Sequence, residues 1–423
     1  MSALAVADGC LAGFDTVKVG ALERVWRALD GAGEETRIVG GAVRDWALGI
    51  PVNDVDFATT ALPDVVIARA KAAGLRAIPT GIDHGTVTLV AEGRPFEVTT
   101  LRRDVATDGR HAKVAFGRDF RADAERRDFT INALGLDRLG RIHDPVGGLA
   151  DLAAGRVRFI GDAQARVRED HLRILRFFRF SAAYGRDALD ADGLKACIAG
   201  RAGLSALSRE RVRAEVIKWL GAARAGETAT EAAEAGLLDD ALGGVAMAAR
   251  LRKVIAIERK DAAAADPLLR LAALAVMTVE DAKRLRTRLR LSNAEGDRLD
   301  AMASALPHFR GRAAPPSLGD LRVMLFERGR RAALDALMLA QADSLAPPDD
   351  EAYRSARGFL AATPEPKMPF GGGDLLKRGV ADGPGMGMML KELQAMWIRA
   401  GLPKEPEILA RLLEEAMRRF GAA

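Results

Sequence analysis

Two aspartates near the N-terminus carry the clearest chemical signal in the sequence. Asp54 and Asp56 lie in the segment DVDFAT, which is predicted to form a strand. Side chains two residues apart on a strand point to the same face, and two carboxylates on one face repel unless a hard cation lies between them. Mg²⁺ takes a few carboxylates together with substrate phosphates. Two such ions can activate an attacking hydroxyl and neutralise a leaving pyrophosphate. The alternative is a solvated strand edge.

Glu97, in the later segment PFEVTT, is a candidate third catalytic carboxylate, although a purely structural position explains it equally well. Upstream, Gly40 and Gly41 follow a predicted strand and precede a predicted helix. Glycines there let backbone N–H groups approach a phosphate closely, and the start of the helix favours an anion. Arg44 would add a charge-assisted contact. A Gly-Gly turn by itself also fits a plain tight turn; the carboxylate pair that follows favours the phosphate site.

The segments VGGAVRDWALG and NDVDFATT closely resemble the signature of class II tRNA nucleotidyltransferases, the CCA-adding enzymes, and of their poly(A) polymerase relatives. Further matches follow in the order of that family, and the well-matched part runs from about 37 to 220. A weaker C-terminal pattern spans 374–393. The ordered matches are the loop segment DVATDGRHAKVAF at 104–116, RRDFTINAL at 126–134, the DxxxGxxxxxxxxxR pattern of Asp144, Gly148 and Arg158, EDHLR at 169–173, and RxxxE at Arg211 and Glu215.

The resemblance implies an α+β fold, with a small mixed-sheet nucleotidyltransferase palm at the N-terminus followed by an all-helical neck, body and tail. The corresponding boundaries are 1–150 for the head, 151–225 for the neck with its nucleotide-selecting motif, 226–345 for the body and 346–423 for the tail.

The resemblance also implies roles for individual residues. Gly41 and Arg44 would contact the triphosphate, and Asp54 and Asp56 would bind Mg²⁺. Asp128 would accept a hydrogen bond from the ribose 2′-hydroxyl, the group that distinguishes a ribonucleotide from a deoxyribonucleotide. The nucleotide pocket would be lined by Arg127, Asp170, Arg173, Arg176 and Arg179.

Asp170 and Arg173 also suit base recognition on chemical grounds. They are three residues apart on a predicted helix, so they lie on neighbouring parts of one face. Asp offers acceptors and Arg offers donors, whereas cytosine and adenine both present an exocyclic amine beside a ring-nitrogen acceptor. Uracil and guanine present an acceptor and a donor in the reverse order, so they would leave buried groups of the protein without a partner. Each such group costs roughly 1–3 kcal/mol of binding free energy. An ordinary helical ion pair is the alternative. Arg176 and Arg179 wind gradually around the same helix, so not all of these residues face one ligand.

These observations predict a cytoplasmic enzyme that adds C, C and A to the 3′ end of tRNA from CTP and ATP, with Mg²⁺ as cofactor and pyrophosphate as product. tRNA, CTP and ATP are the expected partners; neither a membrane nor a protein partner is indicated. A poly(A) polymerase or an enzyme that adds only A shares almost every motif. By family analogy, the loop at 104–117 disfavours a CC-only enzyme. Remoter alternatives are a non-catalytic RNA-binding protein, which the intact Asp54 and Asp56 disfavour, and a transferase acting on a small molecule.

The elements that must position these residues follow from local patterns. We expect a helix over 21–30, short strands at Ile38–Val39 and at DVDFAT, a helix beginning near Pro63, and a hairpin that turns at Glu92–Gly93. After Asp162 the apolar spacing is helical, and it stays helical to the C-terminus. The proline-containing segment SLAPPDD at 344–350 interrupts the helical pattern, and we predict a linker near 342–352.

The amino-acid composition excludes several other classes of protein. A chain of 423 residues predicts two to four domains, and 5% aromatic residues argue against an all-β sandwich or a stacking channel. Cys10 and Cys197 form no zinc motif, no secretory signal is recognisable, and no uncharged apolar run approaches the length of a membrane span. Residues 156–220 contain 14 Arg or Lys against 8 Asp or Glu. This local excess predicts a polyanionic partner, unless it reflects only an Arg-rich proteome.

Overall fold

The computed structural model describes residue 14 and residues 19–108, 111–309, 312 and 314–420. Cys10 and the tip of the predicted loop, residues 109–110, lie outside the described residues. The chain divides into two compact units, Met1–Leu204 and Ser205–Ala423. We refer to them as the N-terminal unit and the helical unit.

A seven-stranded mixed sheet forms the centre of the N-terminal unit, as predicted for the palm. Its spatial order is β3-β4-β5-β2-β1-β8-β9; β2 and β5 are parallel, and all other neighbours are antiparallel. A separate hairpin pairs β6 with β7. The strands are β1 (Thr36–Val39), β2 (Asp56–Thr59), β3 (Arg76–Gly81), β4 (Thr86–Ala91), β5 (Arg94–Thr100), β6 (Arg102–Asp108), β7 (His111–Phe116), β8 (Gly135–Leu136) and β9 (Ile142–His143).

One face of this sheet carries the hydrophobic core. Ile38, Phe57 and Phe96 are at most 1% exposed. Trp26 packs edge-on against Phe57 with ring centroids 5.6 Å apart, and its indole Nε1 donates to the Thr36 carbonyl at 3.0 Å. Strand side chains alternate between faces, so the neighbours of these residues, among them Asp56, point to the opposite face.

Several helices pack against the sheet, and others follow it in the chain. Pro63 begins its helix, and the predicted hairpin turn is present, with φ of 51° at Glu92 and 78° at Gly93, which is the geometry of a tight two-residue turn. The helices of this unit are α1 (Val19–Leu29), α2 (Gly41–Ala47), α3 (Pro63–Ala72), α4 (Phe120–Glu125), α5 (Gly148–Ala154), α6 (Ala163–Glu169), α7 (Leu172–Tyr184) and α8 (Ala191–Gly200).

Two sequence expectations about local structure are wrong. Strand β2 begins at Asp56, so Asp54 precedes the strand and does not share its face by strand alternation. The ladder with β1 ends here, because β1 stops at Val39, opposite Asp56, and Gly40 turns away with φ 76° and ψ −130°. The predicted helix through Asp170 is likewise broken. Asp170 is extended (φ −153°, ψ 106°) between α6 and α7.

The break at Asp170 has a local cause. The Asp170 carboxylate accepts a hydrogen bond from the Leu172 backbone N–H at 3.0 Å, and its carbonyl accepts from Arg173 N at 3.0 Å. Short acidic side chains favour this capping arrangement over the interior of a helix. Asp170 therefore lies at the start of α7 and not on one helical face with Arg173.

The DxxxG pattern forms a close-packed turn after β9. Asp144 caps α5, because its Oδ1 and Oδ2 accept from Gly148 N at 2.7 Å and Leu149 N at 2.9 Å. A Cβ at Gly148 would lie 2.1 Å from the Thr130 carbonyl oxygen. Arg158 pairs with fully buried Asp151 at 3.0 Å. The three residues of the pattern thus hold the chain together where it leaves the sheet.

We predict that Gly148→Ala destabilises the N-terminal unit by about 3 kcal/mol or more, because backbone and not a flexible side chain occupies the space. Gly147→Ala is the matched control. Gly147 has φ 80° and no atom within 4 Å of its Cβ position, so only backbone strain of about 1 kcal/mol applies. Hydrogen exchange of the β4 and β5 amides in the full chain measures both values. Equal effects of the two substitutions would contradict this packing.

The helical unit contains no strand among its described residues, which agrees with the predicted helical body. No helix in the described part of the chain is long and apolar enough to cross a membrane. Gly329 interrupts α16 with φ 76°. The helices are α9 (Arg209–Leu220), α10 (Ala225–Glu234), α11 (Leu237–Leu242), α12 (Ala248–Lys260), α13 (Pro267–Ala275), α14 (Val279–Arg288), α15 (Asn293–Ala305), α16 (Leu318–Asp343), α17 (Glu351–Ala362), α18 (Gly372–Leu376), α19 (Pro384–Arg399) and α20 (Pro406–Arg419).

The linker predicted near 342–352 covers the turn between α16 and α17, two helices that share a core. Leu337 and Ala340 of α16 pack in one buried cluster with Tyr353 and Leu360 of α17. A second cluster contains buried residues from Leu375 to Ala416. The boundary between body and tail remains a prediction.

Candidate active site

The predicted catalytic carboxylates meet at the edge where β2 begins. Asp56 is the register partner of Val39 on one side and, in the parallel pair, of Glu97 on the other. The pKa of Asp56 is raised above its usual range, mainly because burial removes part of the hydration of the carboxylate. The charges of Glu97 and Asp54 raise this pKa further, and the charge of Arg127 lowers it. The structure therefore brings all three carboxylates into electrostatic contact.

This carboxylate group suits a divalent cation. Burial first, and then the charges of Glu97 and Asp54, disfavour the ionised form of Asp56 and so raise its pKa, with Arg127 opposing them. A bound cation would favour the ionised carboxylate. Within the described residues, no three or more His, Cys, Asp or Glu side chains form a ready metal cage. The donor set fits a site with few protein carboxylates, of the kind that Mg²⁺ completes with water and substrate phosphates. Whether Glu97 is a ligand remains a prediction.

The glycine turn lies directly between β1 and α2, as expected. Gly40 adopts φ 76°, a conformation that L side chains rarely take. A Cβ at Gly40 would lie 2.8 Å from Arg127 Nη1. Glycine at this position therefore allows both the turn and the close approach of Arg127. Gly41 begins α2.

Arg44 differs from the expectation of a group open to phosphate. It is 6% exposed, and its guanidinium donates to Asn132 Oδ1 at 2.5 Å, to Tyr184 Oη at 2.6 Å and to Asp45 Oδ1 at 2.9 Å. In this structure, Arg44 joins parts of the protein to one another. A direct contact between Arg44 and the triphosphate stays a prediction.

Asp128 is buried and held from two sides. Its Oδ1 accepts from Phe129 N at 2.9 Å and from Asn132 Nδ2 at 3.0 Å, and its Oδ2 accepts from Arg176 Nε at 2.6 Å. A carboxylate with these partners keeps a fixed orientation. Arg176 thus lies beside Asp128 and supports it, a pairing that the sequence did not indicate.

Arg127 is anchored by Asp123, which the sequence reasoning missed. Arg127 Nη2 donates to Asp123 Oδ2 at 3.0 Å, while Arg126 binds the other oxygen. Burial alone would raise the pKa of Asp123, but Arg127 and Arg126 hold it below the usual range. The ionised Asp123 therefore keeps Arg127 beside Gly40.

The expected base-reading pair lies at the start of α7. Arg173 donates to Glu169 Oε2 at 2.6 Å and to the Arg166 carbonyl at 3.0 Å. Glu169, and not Asp170, is thus the ion-pair partner that orients Arg173. Arg179 lies further along α7 with its guanidinium 4.2 Å from the centre of the Phe180 ring.

Two pockets open on the N-terminal unit. One, of about 560 Å³, is lined by Val39 and Arg127, the neighbours of Asp56, and by Arg37 and Arg118. The other, of about 790 Å³, contains none of the predicted site residues in its lining. None of Asp54, Asp56 and Glu97 lines either pocket, but the smaller pocket reaches the two neighbours of Asp56.

Comparison with known proteins identifies the family. The Poly A polymerase head domain matches residues 36–158. The chain is 35% identical over 387 residues to the CCA tRNA nucleotidyltransferase 1, mitochondrial, of Danio rerio, and the match covers 86% of this chain and 83% of the relative. The chain belongs to the CCA-adding tRNA nucleotidyltransferase family. A match to the CCA-adding enzyme of Limosilactobacillus fermentum, at 30% identity, covers 92% of this chain and 95% of that enzyme.

Solved CCA-adding enzymes share the architecture. The Bacillus stearothermophilus CCA-adding enzyme in complex with CTP superposes with a TM-score of 0.71 at 29% identity, covering 96% of this chain and 99% of that one. The Thermotoga maritima CCA-adding enzyme complexed with tRNA gives a TM-score of 0.68 at 19% identity, which supports the fold alone. As a member of the CCA-adding family, this chain is a nucleotidyltransferase of a class that uses a divalent metal.

Proposed function

We propose that this protein adds C, C and A to the 3′ end of tRNA from CTP and ATP, with Mg²⁺ as the metal and without a nucleic-acid template. The observation that carries the proposal is the near full-length similarity to CCA-adding enzymes, combined with the carboxylates gathered at the start of β2. Solved relatives include complexes with CTP, ATP and tRNA.

Asp54 and Asp56 would hold the metal in this proposal. When bound, Mg²⁺ would supply charge neutralisation for the triphosphate and an environment that favours the ionised 3′-hydroxyl. The 3′-oxygen of the tRNA forms a bond to the α-phosphorus, and the bond from that phosphorus to the oxygen of the β-phosphate breaks, so that pyrophosphate leaves. At Gly40 and Gly41 the missing Cβ atoms allow two guanidinium groups to approach the turn: Arg127 Nη1 lies 2.8 Å from the Cβ position of Gly40, and Arg44 Nη2 lies 3.5 Å from that of Gly41. The triphosphate would bind beside this turn and the carboxylates.

The ribose and the base would be held by the segments around α7. Asp128, fixed by Arg176 and Asn132, would accept the hydrogen bond of the ribose 2′-hydroxyl. Asp170 would accept from the exocyclic amine of C or A, and Arg173 would donate to the adjacent ring nitrogen. Because the two bases share this pattern, one protein surface serves both nucleotides.

The test separates this function from poly(A) synthesis and from addition of A alone. Three tRNA transcripts, ending before the first C, after the second C and after the final A, are incubated with CTP, with ATP and with both. The proposal expects C, C and A on the first transcript, one A on the second and no extension of the third. Extension of the third transcript with many A residues would indicate a poly(A) polymerase, and extension of the second transcript alone would indicate an A-adding enzyme.

We also propose that the protein acts in the cytoplasm. The chain has only two cysteines, Cys10 and Cys197, which form no CxxC motif, and Cys197 is a free, buried thiol. This cysteine usage is typical of a reducing compartment. Fractionation of the source cells, with immunodetection of the chain, tests this placement.

We predict that Asp128→Ala weakens discrimination between CTP and dCTP by about 10-fold, since a hydrogen bond to a charged group contributes about 1.5–3 kcal/mol. The measurement is the ratio of kcat/KM for CTP and dCTP. Asp123→Asn serves as a control, because it removes a neighbouring carboxylate that binds arginine and is not expected to meet the ribose. An unchanged ratio in Asp128→Ala would leave Asp128 only as the structural partner of Arg176.

A further inference from the structure

A partly buried hydrogen-bond network connects the end of α7 to the glycine-turn helix α2. Tyr184, the last residue of α7, accepts from Arg44 Nη2 at 2.6 Å and donates to Asp45 Oδ1 at 3.0 Å. Arg44 Nε also donates to Asp45 Oδ1, at 2.9 Å. The Arg44 guanidinium lies 4.0 Å from the centre of the Tyr184 ring. The phenol therefore bridges a cation and an anion of one helix.

The same network returns to α7 through the segment of Asp128. Arg44 Nη1 donates to Asn132 Oδ1 at 2.5 Å, and Asn132 Nδ2 donates to Asp128 Oδ1 at 3.0 Å. Asp128 Oδ2 accepts from Arg176 of α7 at 2.6 Å. The hydrogen bonds thus form a closed circuit: both ends lie on α7, one at Tyr184 and the other at Arg176, about 12 Å apart along the helix axis.

Burial makes this circuit sensitive to the loss of a single atom. Arg44, Asn132 and Asp128 are 6%, 7% and 8% exposed, whereas Tyr184 and Asp45 are half-buried. Water therefore has least access to the bonds among Arg44, Asn132 and Asp128. Burial, reinforced by Asp45 and opposed by Arg44, raises the pKa of Tyr184 to about 12. Its hydroxyl therefore stays protonated and able to donate over the range of ordinary assays.

We propose that Tyr184 is a positioning residue for nucleotide selection. It fixes the orientation of α7 against α2 and, through Arg44 and Asn132, the orientation of the Asp128 carboxylate. This inference rests on the proposed function, because it takes Asp128 as the reader of the ribose. Nothing in the local sequence marks Tyr184, which lies at the end of α7 beyond the EDHLR segment.

Tyr184→Phe tests the proposal with the smallest change. Phenylalanine keeps the ring that stacks on Phe180, with centroids 5.9 Å apart, and removes only the hydroxyl. Arg44 Nη2 then loses a partly buried acceptor, while its bond from Nη1 to Asn132 remains. Arg44 is therefore held less firmly, and through Asn132 so is the Asp128 carboxylate. We expect kcat/KM for CTP to fall roughly 10-fold, as for the loss of a hydrogen bond to a charged group. The dCTP value should fall less, so the CTP preference falls several-fold.

Tyr353→Phe is the matched control, because Tyr353 is the other tyrosine of the chain and is 2% exposed in the helical core. It should leave the CTP-to-dCTP ratio unchanged. Asp45→Asn is a second variant that disturbs the same bridge, and combining it with Tyr184→Phe should add little, since both act through Arg44. If Tyr184→Phe fails to fold, Asp45→Asn alone tests the proposal, and we expect the same decrease in its CTP-to-dCTP ratio.

The experiment distinguishes a failure of the Tyr184 inference from a failure of the proposed function. The ratio of CTP to dCTP is measured both by extension of tRNA and by equilibrium binding of each nucleotide to the full chain. If the wild-type protein extends no tRNA, the proposed function fails, and binding still tests the role of Tyr184. If Tyr184→Phe and Asp45→Asn keep the wild-type ratio in both measurements, even at lower activity, Tyr184 only packs and the inference is wrong.

Discussion

Asp54→Asn and Asp56→Asn are each expected to lower the addition of C and of A by roughly 10³-fold or more, because metal-assisted charge neutralisation contributes several kcal/mol to the transition state. Both additions should fall together, since they use the same carboxylates. Affinity for tRNA should change little, because phosphate contacts are expected to be spread over the helical segments. Single-turnover extension of the three tRNA transcripts, with filter binding of each, measures both quantities.

Asp64→Asn is the control for the general loss of an acidic group. Asp64 is exposed in the first turn of α3, the helix that follows the C-terminal end of β2, whereas Asp56 begins that strand. It should keep wild-type turnover. Near-normal turnover of Asp54→Asn or Asp56→Asn with Mg²⁺ would refute the metal assignment. A loss of C addition with A addition intact would mean that the two reactions do not share one centre.

The second large effect concerns base choice at the start of α7. Asp170→Ala and Arg173→Ala are each expected to lower kcat/KM for CTP and ATP together by roughly 10²-fold, as one or two hydrogen bonds to charged groups are lost. The residual activity should use relatively more UTP and GTP, because the mispaired groups that reject them are removed. The measured quantities are the CTP-to-UTP and ATP-to-GTP ratios of kcat/KM.

The structure sharpens this test, because Asp170 also caps α7 through Leu172 N. Asp170→Asn keeps an acceptor for the cap while adding a donor towards the base, so it should lose selectivity with little loss of stability. Asp162→Ala removes the corresponding cap of α6, where Asp162 Oδ1 accepts from Ala165 N at 2.6 Å. It should cost stability and leave both ratios unchanged. If Asp170→Asn and Arg173→Ala also leave both ratios constant, base selection lies elsewhere.

Arg173 needs its own comparison, since Glu169 orients its guanidinium at 2.6 Å. Burial alone would raise the pKa of Glu169, but Arg173 and Arg166 hold it below the usual range, so Glu169 is ionised at neutral pH. Glu169→Gln keeps Arg173 and removes the charge that holds it. A partial loss of selectivity in Glu169→Gln, smaller than in Arg173→Ala, would show that orientation of Arg173 contributes to the choice of base.

The sequence determined the parts of this protein that depend on neighbouring residues. Glycines between a strand and a helix predicted the turn at Gly40, and alternating residues around Glu92 and Gly93 predicted the β4–β5 hairpin. Both are present because backbone dihedral preferences act over a few residues. The ordered motifs also predicted the family, a mixed sheet followed by helices, and an enzyme of nucleotidyl transfer, which the comparisons confirm.

Only the tertiary structure decided which side chains meet. Parallel pairing of β2 with β5, which are not consecutive in the chain, places Glu97 beside Asp56. The bond from Arg44 to Tyr184 spans 140 positions, and the one from Arg44 to Asn132 spans 88. Spacing along the chain contains no signal for such contacts, because the partner of a buried donor is chosen by the packing of whole elements and by the cost of leaving that donor unpaired. For that reason the sequence alone predicted Arg44 as a phosphate contact and gave no role to Tyr184.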